Sequence, residues 1–536
     1  MAENCFRGVE IRGFGAMLKF LGPSSALVSQ LRRAHLYSAR SPAGLRQLSN
    51  NVAYFSSHSR MDTNDSANRP QEGIKKKQKL VKYAKGQFLK RSDVDSFIEK
   101  KLKVAKLAAL AIFMARSSSR SSVTVQVTYL IGFYPRIAAR LEELISESWA
   151  FWQISAVING MRCMRENEEG IQKMCTVTAK MIDRAINRGE VVLAGDVTMI
   201  MLGVTRLVGR EVETRKLLHS VADIFRKCEE DFTPEELVTC MRGLQGKPSG
   251  SPEVLVLVSL LTERFLKMKT GITVVDLGHI TYGMHRMKCD SVEVVGLLTA
   301  LTARLREMDV ELSAKVHGDM LFGLQSMSSD TPEVREFLAL VLSKASKSDI
   351  EALPQATCNS FVGMRGMKCN VPEVVSLLKS LTVQANALKK HYHPQGLGMA
   401  LLGFSSMHSD SAEVCGALKA LTRHVQIARG NMDTTALGNA IHGFQNMKDD
   451  SPEVLEILQS LVRFVEPSIG FLSEEHVERC LFGLQGMSNE SAEVRAVLTA
   501  LLAKARTVDK KYDENDVEIL NAQTLALMAA LEPVSN

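Results

Sequence analysis

GLQSMSSDTPEVREFLALVL, residues 323–342, is one of seven copies of a single pattern. The others open with GLQGKPSGSPEV, GMHRMKCDSVEV, GMRGMKCNVPEV, GFSSMHSDSAEV, GFQNMKDDSPEV and GLQGMSNESAEV at Gly243, Gly283, Gly363, Gly403, Gly443 and Gly483, so every step is 40 residues. A weaker copy starts at Gly203, where Glu213 takes the place of Glu253, and a still weaker one at Gly160 in NGMRCM. A strict period of this length marks stacked supersecondary units.

Each copy spells the start of a helix. Ser251, Ser291, Thr331, Ser411, Ser451 and Ser491 stand before Pro252, Val292, Pro332, Ala412, Pro452 and Ala492. A Ser or Thr hydroxyl can accept from an orphan N–H, and Pro at the first helical position gives up only an N–H that has no partner there. Glu253, Glu293, Glu333, Glu373, Glu413, Glu453 and Glu493 follow, complementing the positive end of the helix dipole. Downstream, Val334, Phe337, Leu338 and Val341 keep helical spacing. Upstream, Leu437, Ala440, Ile441, Phe444 and Met447 form a second stripe. Each repeat is therefore two helices, A and B, and neither can bury its stripe alone. The sequence predicts an all-α fold, a right-handed-type α-solenoid of two-helix repeats with a 40-residue period. The regular repeats occupy 191–510, a diverged helical part 101–190, and a capping helix, Val517 to Leu531, lies within 511–536. The glycine opening each copy falls in helix A, where it costs about 1 kcal/mol against Ala. Its recurrence points to close helix–helix approach.

A chain of 536 residues exceeds one hydrophobic core, but a linear array escapes that limit. With 45% hydrophobic and 23% charged residues, and no apolar run approaching 18, neither a disordered chain nor an ordinary membrane span fits. The net charge of +7 is unevenly placed. Residues 1–100 hold 18 Lys and Arg against 8 Asp and Glu, a balance of +10, leaving −3 for the other 436 residues.

Between Ile11 and Arg60 there is no Asp or Glu, while Arg12, Lys19, Arg32, Arg33, Arg40 and Arg46 sit among Ser, Ala and Leu. Residues 1–60 thus read as an organelle transit peptide, or more plainly as a basic tail. Without an apolar signal core, the mitochondrial matrix is favoured over a plastid. Residues 61–100 form a basic arm in which Lys75, Lys76, Lys77, Lys79, Lys82 and Lys85 are interleaved with Tyr83 and Phe88. Flexible lysines can contact phosphates without fixed geometry; the rival reading is a solvated linker.

The ten cysteines include no C-x-x-C pair and no Cys/His group at ligand spacing, so no metal or other cofactor is expected. Cys240 and Cys480 share a core position of helix A, whereas Cys289 and Cys369 share a turn position as incidental thiols. The column Met287, Met327, Met367, Met407, Met447 and Met487 reads as packing. No nucleophile, base and orienting acid converge, so no enzyme is expected.

The positions that vary carry more information. Four residues before each glycine stand Thr239, His279, Asp319, Asn359, Met399, Asn439 and Arg479. One turn earlier stand Glu235, Val275, Lys315, Gln355, Gln395, Thr435 and Glu475. The two rows share one helix face. A further polar row, Gln245, His285, Gln325, Arg365, Ser405, Gln445 and Gln485, follows the glycines. Arrays that read RNA offer two or three such side chains per base, although exposed faces are also polar simply for solubility.

The pattern G-[LMF]-Q-x-M-x-x-[DN]-[ST]-[PA]-E-V-x-x-[LF]-L, after an Arg/Ser-rich N-terminus, resembles the organellar octotricopeptide and heptatricopeptide proteins of algae and protists, similar in plan to pentatricopeptide proteins. The resemblance covers about residues 190–510, with a period of 40 where those families use 38 and 37. It implies an RNA-binding factor in transcript stability, processing or translation. The alternative it implies is a scaffold or structural subunit of an organelle assembly such as the mitochondrial ribosome. Many relatives carry a nuclease-like C-terminal domain; the short helix at 517–531 lowers that expectation here. The −3 balance opposes RNA binding unless bases such as Lys288, Arg365, Lys368, Lys389, Lys390 and Arg479 share a face.

Overall fold

The structure, a computed structural model, describes residues 134–506 except 165, 169, 269–270, 346–352 and 471, together with positions 102 and 110. The leader, the lysine arm and the C-terminal helix lie outside the described residues, as does most of 101–133.

The described residues form an α-solenoid of nineteen α-helices with no strand beyond two isolated bridges. In chain order these are α1 (Tyr134–Glu143), α2 (Phe151–Gly160), α3 (Ile171–Asn187), α4 (Ala194–Gly203), α5 (Val212–Lys227), α6 (Pro234–Leu244), α7 (Pro252–Lys267), α8 (Val274–Gly283), α9 (Val292–Glu307), α10 (Ala314–Gly323), α11 (Pro332–Ser343), α12 (Pro354–Gly363), α13 (Pro372–Ala387), α14 (Pro394–Leu402), α15 (Ala412–Ile427), α16 (Thr434–His442), α17 (Pro452–Val465), α18 (Glu474–Leu484) and α19 (Ala492–Arg506). Even numbers are A helices and odd numbers B helices. Two compact units divide at Leu244 and Gln245. In the first, α2, α4 and α6 pack in succession, as do α1, α3 and α5; in the second, α8 to α18 and α7 to α19 do the same. Among the described residues no helix is long and apolar enough to cross a membrane.

The apolar stripes fill the space between the two layers. Val334, Phe337, Leu338 and Val341 of α11 are buried, as are Leu437, Ala440 and Ile441 of α16 with Phe444 and Met447 beyond it. Cys240 and Cys480 are also buried. The methionine column lies one turn past helix A. There the N–H of Met327 reaches Leu324 O at 2.8 Å, and Met287, Met367, Met407 and Met447 repeat the bond.

The helix starts fall where expected, but the cap chemistry differs. Ser291 and Ser411 accept weakly from the N–H three residues on, each at 3.5 Å. Ser251 and Ser451, both before Pro, donate to the carboxylates of Glu253 and Glu453 at 2.6 and 3.0 Å, as Ser411 also does to Glu413 at 3.3 Å. A hydroxyl bonded to a charged acceptor is better satisfied than one sharing a backbone N–H.

The glycines show why they recur. A Cβ on Gly363 would lie 2.2 Å from Leu321 O, on Gly403 2.0 Å from Phe361 O, and on Gly483 2.2 Å from Ile441 O. Each approach is to the A helix of the preceding repeat. Gly203 meets Ile158 O in the same way, at 2.2 Å.

A second inter-repeat link stands six residues after each glycine. Ser249, Ser329 and Ser409 accept from the N–H of Lys288, Lys368 and Lys448 at 2.9, 2.9 and 3.1 Å, and Asp449 from Ser488 at 3.2 Å. Glu166, six residues after Gly160, does likewise through bonds from Val208, Gly209 and Glu211 of 2.8, 3.1 and 2.7 Å. The copy at Gly160 is thus the same structural unit, 43 residues before Gly203. Cys289 and Cys369 occupy this linking position in the alternate repeats.

Candidate functional site

The variable rows occupy one stripe of helix A. Taking the glycine as zero, positions −8, −4, −1 and +3 follow the i, i+4, i+7, i+11 sequence of a single helix face. In the second unit the side chains at −4 touch from repeat to repeat. Asn359 Nδ2 donates to Asp319 Oδ1 at 3.4 Å, Arg479 Nη1 to Asn439 Oδ1 at 3.0 Å, and Asn439 Nδ2 to Met399 Sδ at 3.5 Å. The −8 row binds into the same chain: Lys315 pairs with Asp319 at 2.6 Å, Gln355 donates to Asn359 at 3.0 Å, and Glu475 accepts from Arg479 at 2.5 Å. Gln395 turns aside to Asn431 O at 3.3 Å. His279 is half-buried on α8, and Thr239 is buried on α6 of the first unit.

The residues expected to read bases are therefore brought together, but their polar groups largely satisfy one another. Asp319 and Asn439 are each only 9% exposed, which leaves little of them to meet a ligand.

The −1 row, which the sequence reading passed over, is different. It runs Arg242, Tyr282, Phe322, Val362, Leu402, His442 and Phe482. Tyr282 and Phe322 stack with centroids 4.5 Å apart and planes 11° from parallel, and His285 tilts against both at 5.9 and 5.3 Å. His442 and Phe482 stack at 5.5 Å. Tyr282, Phe322 and His442 are half-buried and Phe482 is 49% exposed, so ring surface remains open to solvent. Burial pushes the His285 imidazole down to about 4, against the opposing hydrogen bond to Tyr282 O, so it is a neutral ring at physiological pH.

Arg286, Arg365 and Arg479 stand on the same stripe. Arg365 is solvent-exposed, yet its ionisation is lowered first by loss of hydration to surrounding protein, then by the like charges of Arg479 and Arg286. His442 is lowered by burial and then by the charges of Arg365 and Arg479. Among the described residues neither Arg286 nor Arg365 has an ion pair.

Across the −8, −4, −1, +2 and +3 rows of the second unit there are four basic residues, Arg286, Lys315, Arg365 and Arg479, and two acidic, Asp319 and Glu475. The stripe is positive on an array that is negative as a whole. Of the six bases singled out from the sequence, Arg365 and Arg479 lie on it. Lys288 and Lys368 are in A–B turns, where Asp330 holds Lys368 at 2.8 Å, and Lys389 and Lys390 are in a B–A connection. The −1 row could have been found by extending the i, i+4 ladder one further turn. The stacking of its rings across neighbouring repeats has no sequence signal, because it depends on the spacing between packed A helices.

No family model matches the chain, and no curated protein matches it. The resemblance to organellar helical-repeat proteins rests on the repeat's own residues.

Proposed function

We propose that this chain is a non-catalytic α-solenoid that binds single-stranded RNA in an organelle, in the service of transcript stability, processing or translation. The observation that carries this reading is the helix-A stripe of the second unit, where the stacked rings Tyr282–Phe322 and His442–Phe482 share a face with Arg286, Lys315, Arg365 and Arg479 against only two acidic side chains. Like charges gathered without enough acidic partners raise the energy of the free protein and favour an anionic ligand. Bases splayed from a single strand supply faces for the rings, and the phosphates supply the charge. The basic arm from Lys75 to Lys85 adds sequence-independent contact.

The test is a titration of the full chain with labelled single-stranded RNA at several salt concentrations. Binding that weakens linearly in log salt is expected. Absence of binding at low salt would refute the reading and leave the second one, a protein scaffold or structural subunit of an organelle assembly. That alternative draws on the acidic edge of the array, where Asp290, Asp330, Asp410 and Asp450 stand beside the Glu residues that open the B helices.

A further inference from the structure

Resting on the RNA reading above, the geometry points to a bipartite site. Tyr282 with Phe322 forms one base-stacking platform and His442 with Phe482 a second, and the two repeats between them hold only the sugar-phosphate chain, through Arg365.

The −1 row carries rings at 282, 322, 442 and 482, but aliphatic side chains at 362 and 402. Val362 and Leu402 are 1% and 5% exposed, so neither offers a surface on which a base could lie. Arg365 belongs to the first of these two repeats and is exposed to solvent. The row therefore alternates in kind: rings, then a ring-free interval with a cation, then rings.

The platforms also differ. Tyr282 and Phe322 are nearly parallel at 4.5 Å and buttressed by His285, so no base can enter between them and stacking must use their open side. His442 and Phe482 stand 5.5 Å apart with planes at 25°, and Phe482 is the most open ring of the row. Both platforms present π-faces with no hydrogen-bonding code, because the neighbouring ladder residues Asp319, Asn359, Asn439 and Arg479 are bonded to each other. The site therefore takes single strands with little sequence preference and discriminates by where bases are present along the backbone. At about one nucleotide per repeat, the ring-free interval matches about two nucleotides.

The experiment uses the full chain and labelled oligoadenylates in which two short base-bearing ends flank a spacer of abasic sugars, varied from about one to about six. Affinity is expected to match the uninterrupted strand at a spacer of about two and to fall about tenfold when either end loses its bases, since stacking of one base is worth roughly that factor. Phe322→Leu and Phe482→Leu should each cost about tenfold on the base-bearing strand and nothing on a wholly abasic one. Arg365→Gln should weaken both strands alike. Circular dichroism confirms folding of each variant, and exposed Phe482 provides the substitution that packing least constrains. RNA bound with no dependence on spacer length, or ring variants that weaken the abasic strand equally, would overturn the bipartite site while leaving RNA binding intact. Failure to bind any strand at low salt would overturn both.

Discussion

Replacing Gly363 with Ala sets two physical effects of opposite sign against each other. As a helix substitution alone, Gly to Ala is worth about 1 kcal/mol in favour of the variant. The added Cβ would stand 2.2 Å from Leu321 O, 2.5 Å from Leu321 C and 3.1 Å from Phe322 N, all backbone atoms of the preceding A helix that no rotamer change can move aside. Restoring ordinary contact requires α12 to back away from α10 by about 1 Å, a gap that forfeits a quarter to a half of the dispersion across the contact. Overpacking of this kind costs about 3 kcal/mol at the upper end of its usual range, so the variant is expected to be less stable by about 2 kcal/mol. Gly416→Ala and Gly296→Ala are the controls, because nothing lies within 4 Å of a Cβ at either position on the B helices. Both should gain up to about 1 kcal/mol. Urea unfolding followed by far-ultraviolet circular dichroism measures all three, with midpoints compared under one set of conditions since an array need not unfold in two states. If Gly363→Ala shifts the midpoint in the same direction as Gly416→Ala, backbone contact is not why the glycine recurs.

Arg365→Gln should lower RNA affinity by a similar factor for every sequence and reduce the log–log salt slope by about 0.7, as loss of one single-strand phosphate contact requires; an unchanged slope would remove Arg365 from the binding stripe. His317 of α10 is 2% exposed and burial pushes its imidazole down to about 4. The fold thus favours the neutral form: its stabilisation is complete above the unfolded value of about 6.5 and is lost as pH falls toward 4, amounting to about 2 kcal/mol by pH 5. Urea midpoints at pH 7 and 5 should differ less in His317→Leu than in the native chain, the loss that remains coming from the other histidines lowered by burial, His285 among them. Ser329, 1% exposed and holding the N–H of Lys368, should cost about 1–2 kcal/mol when changed to Ala, whereas Cys369→Ser should gain up to about 1 by supplying the same link one repeat on. Asn359→Ala and Asn439→Ala should lower the melting temperature with little change in base preference; a clear switch in preference at fixed stability would restore these residues as base readers.

The repeat was legible because its causes are local. Helix starts at Pro252, Pro332 and Pro452, stripes such as Val334 to Val341, and the glycine column each follow from rules that act within one turn or one contact. Cap chemistry was less so: Ser251 and Glu253 were each placed correctly at the helix start, but their bond to one another depends on rotamers. The candidate site was legible only in part. The ladder from Asp319 to Arg479 reads from sequence as a surface row, yet Asp319 and Asn439 are buried, and their bonding from repeat to repeat needs the spacing between neighbouring helices.

The amino-acid sequence by itself determined that this protein is a linear array of helical hairpins, because period, capping residues and apolar stripes are properties of each 40-residue unit. Tertiary structure alone decided which side chains of the stripe stay available. Asp319 and Asn359, Asn439 and Arg479, and the rings of Tyr282 and Phe322 come from separate repeats and meet only at the spacing that packed A helices take up, which no single repeat encodes.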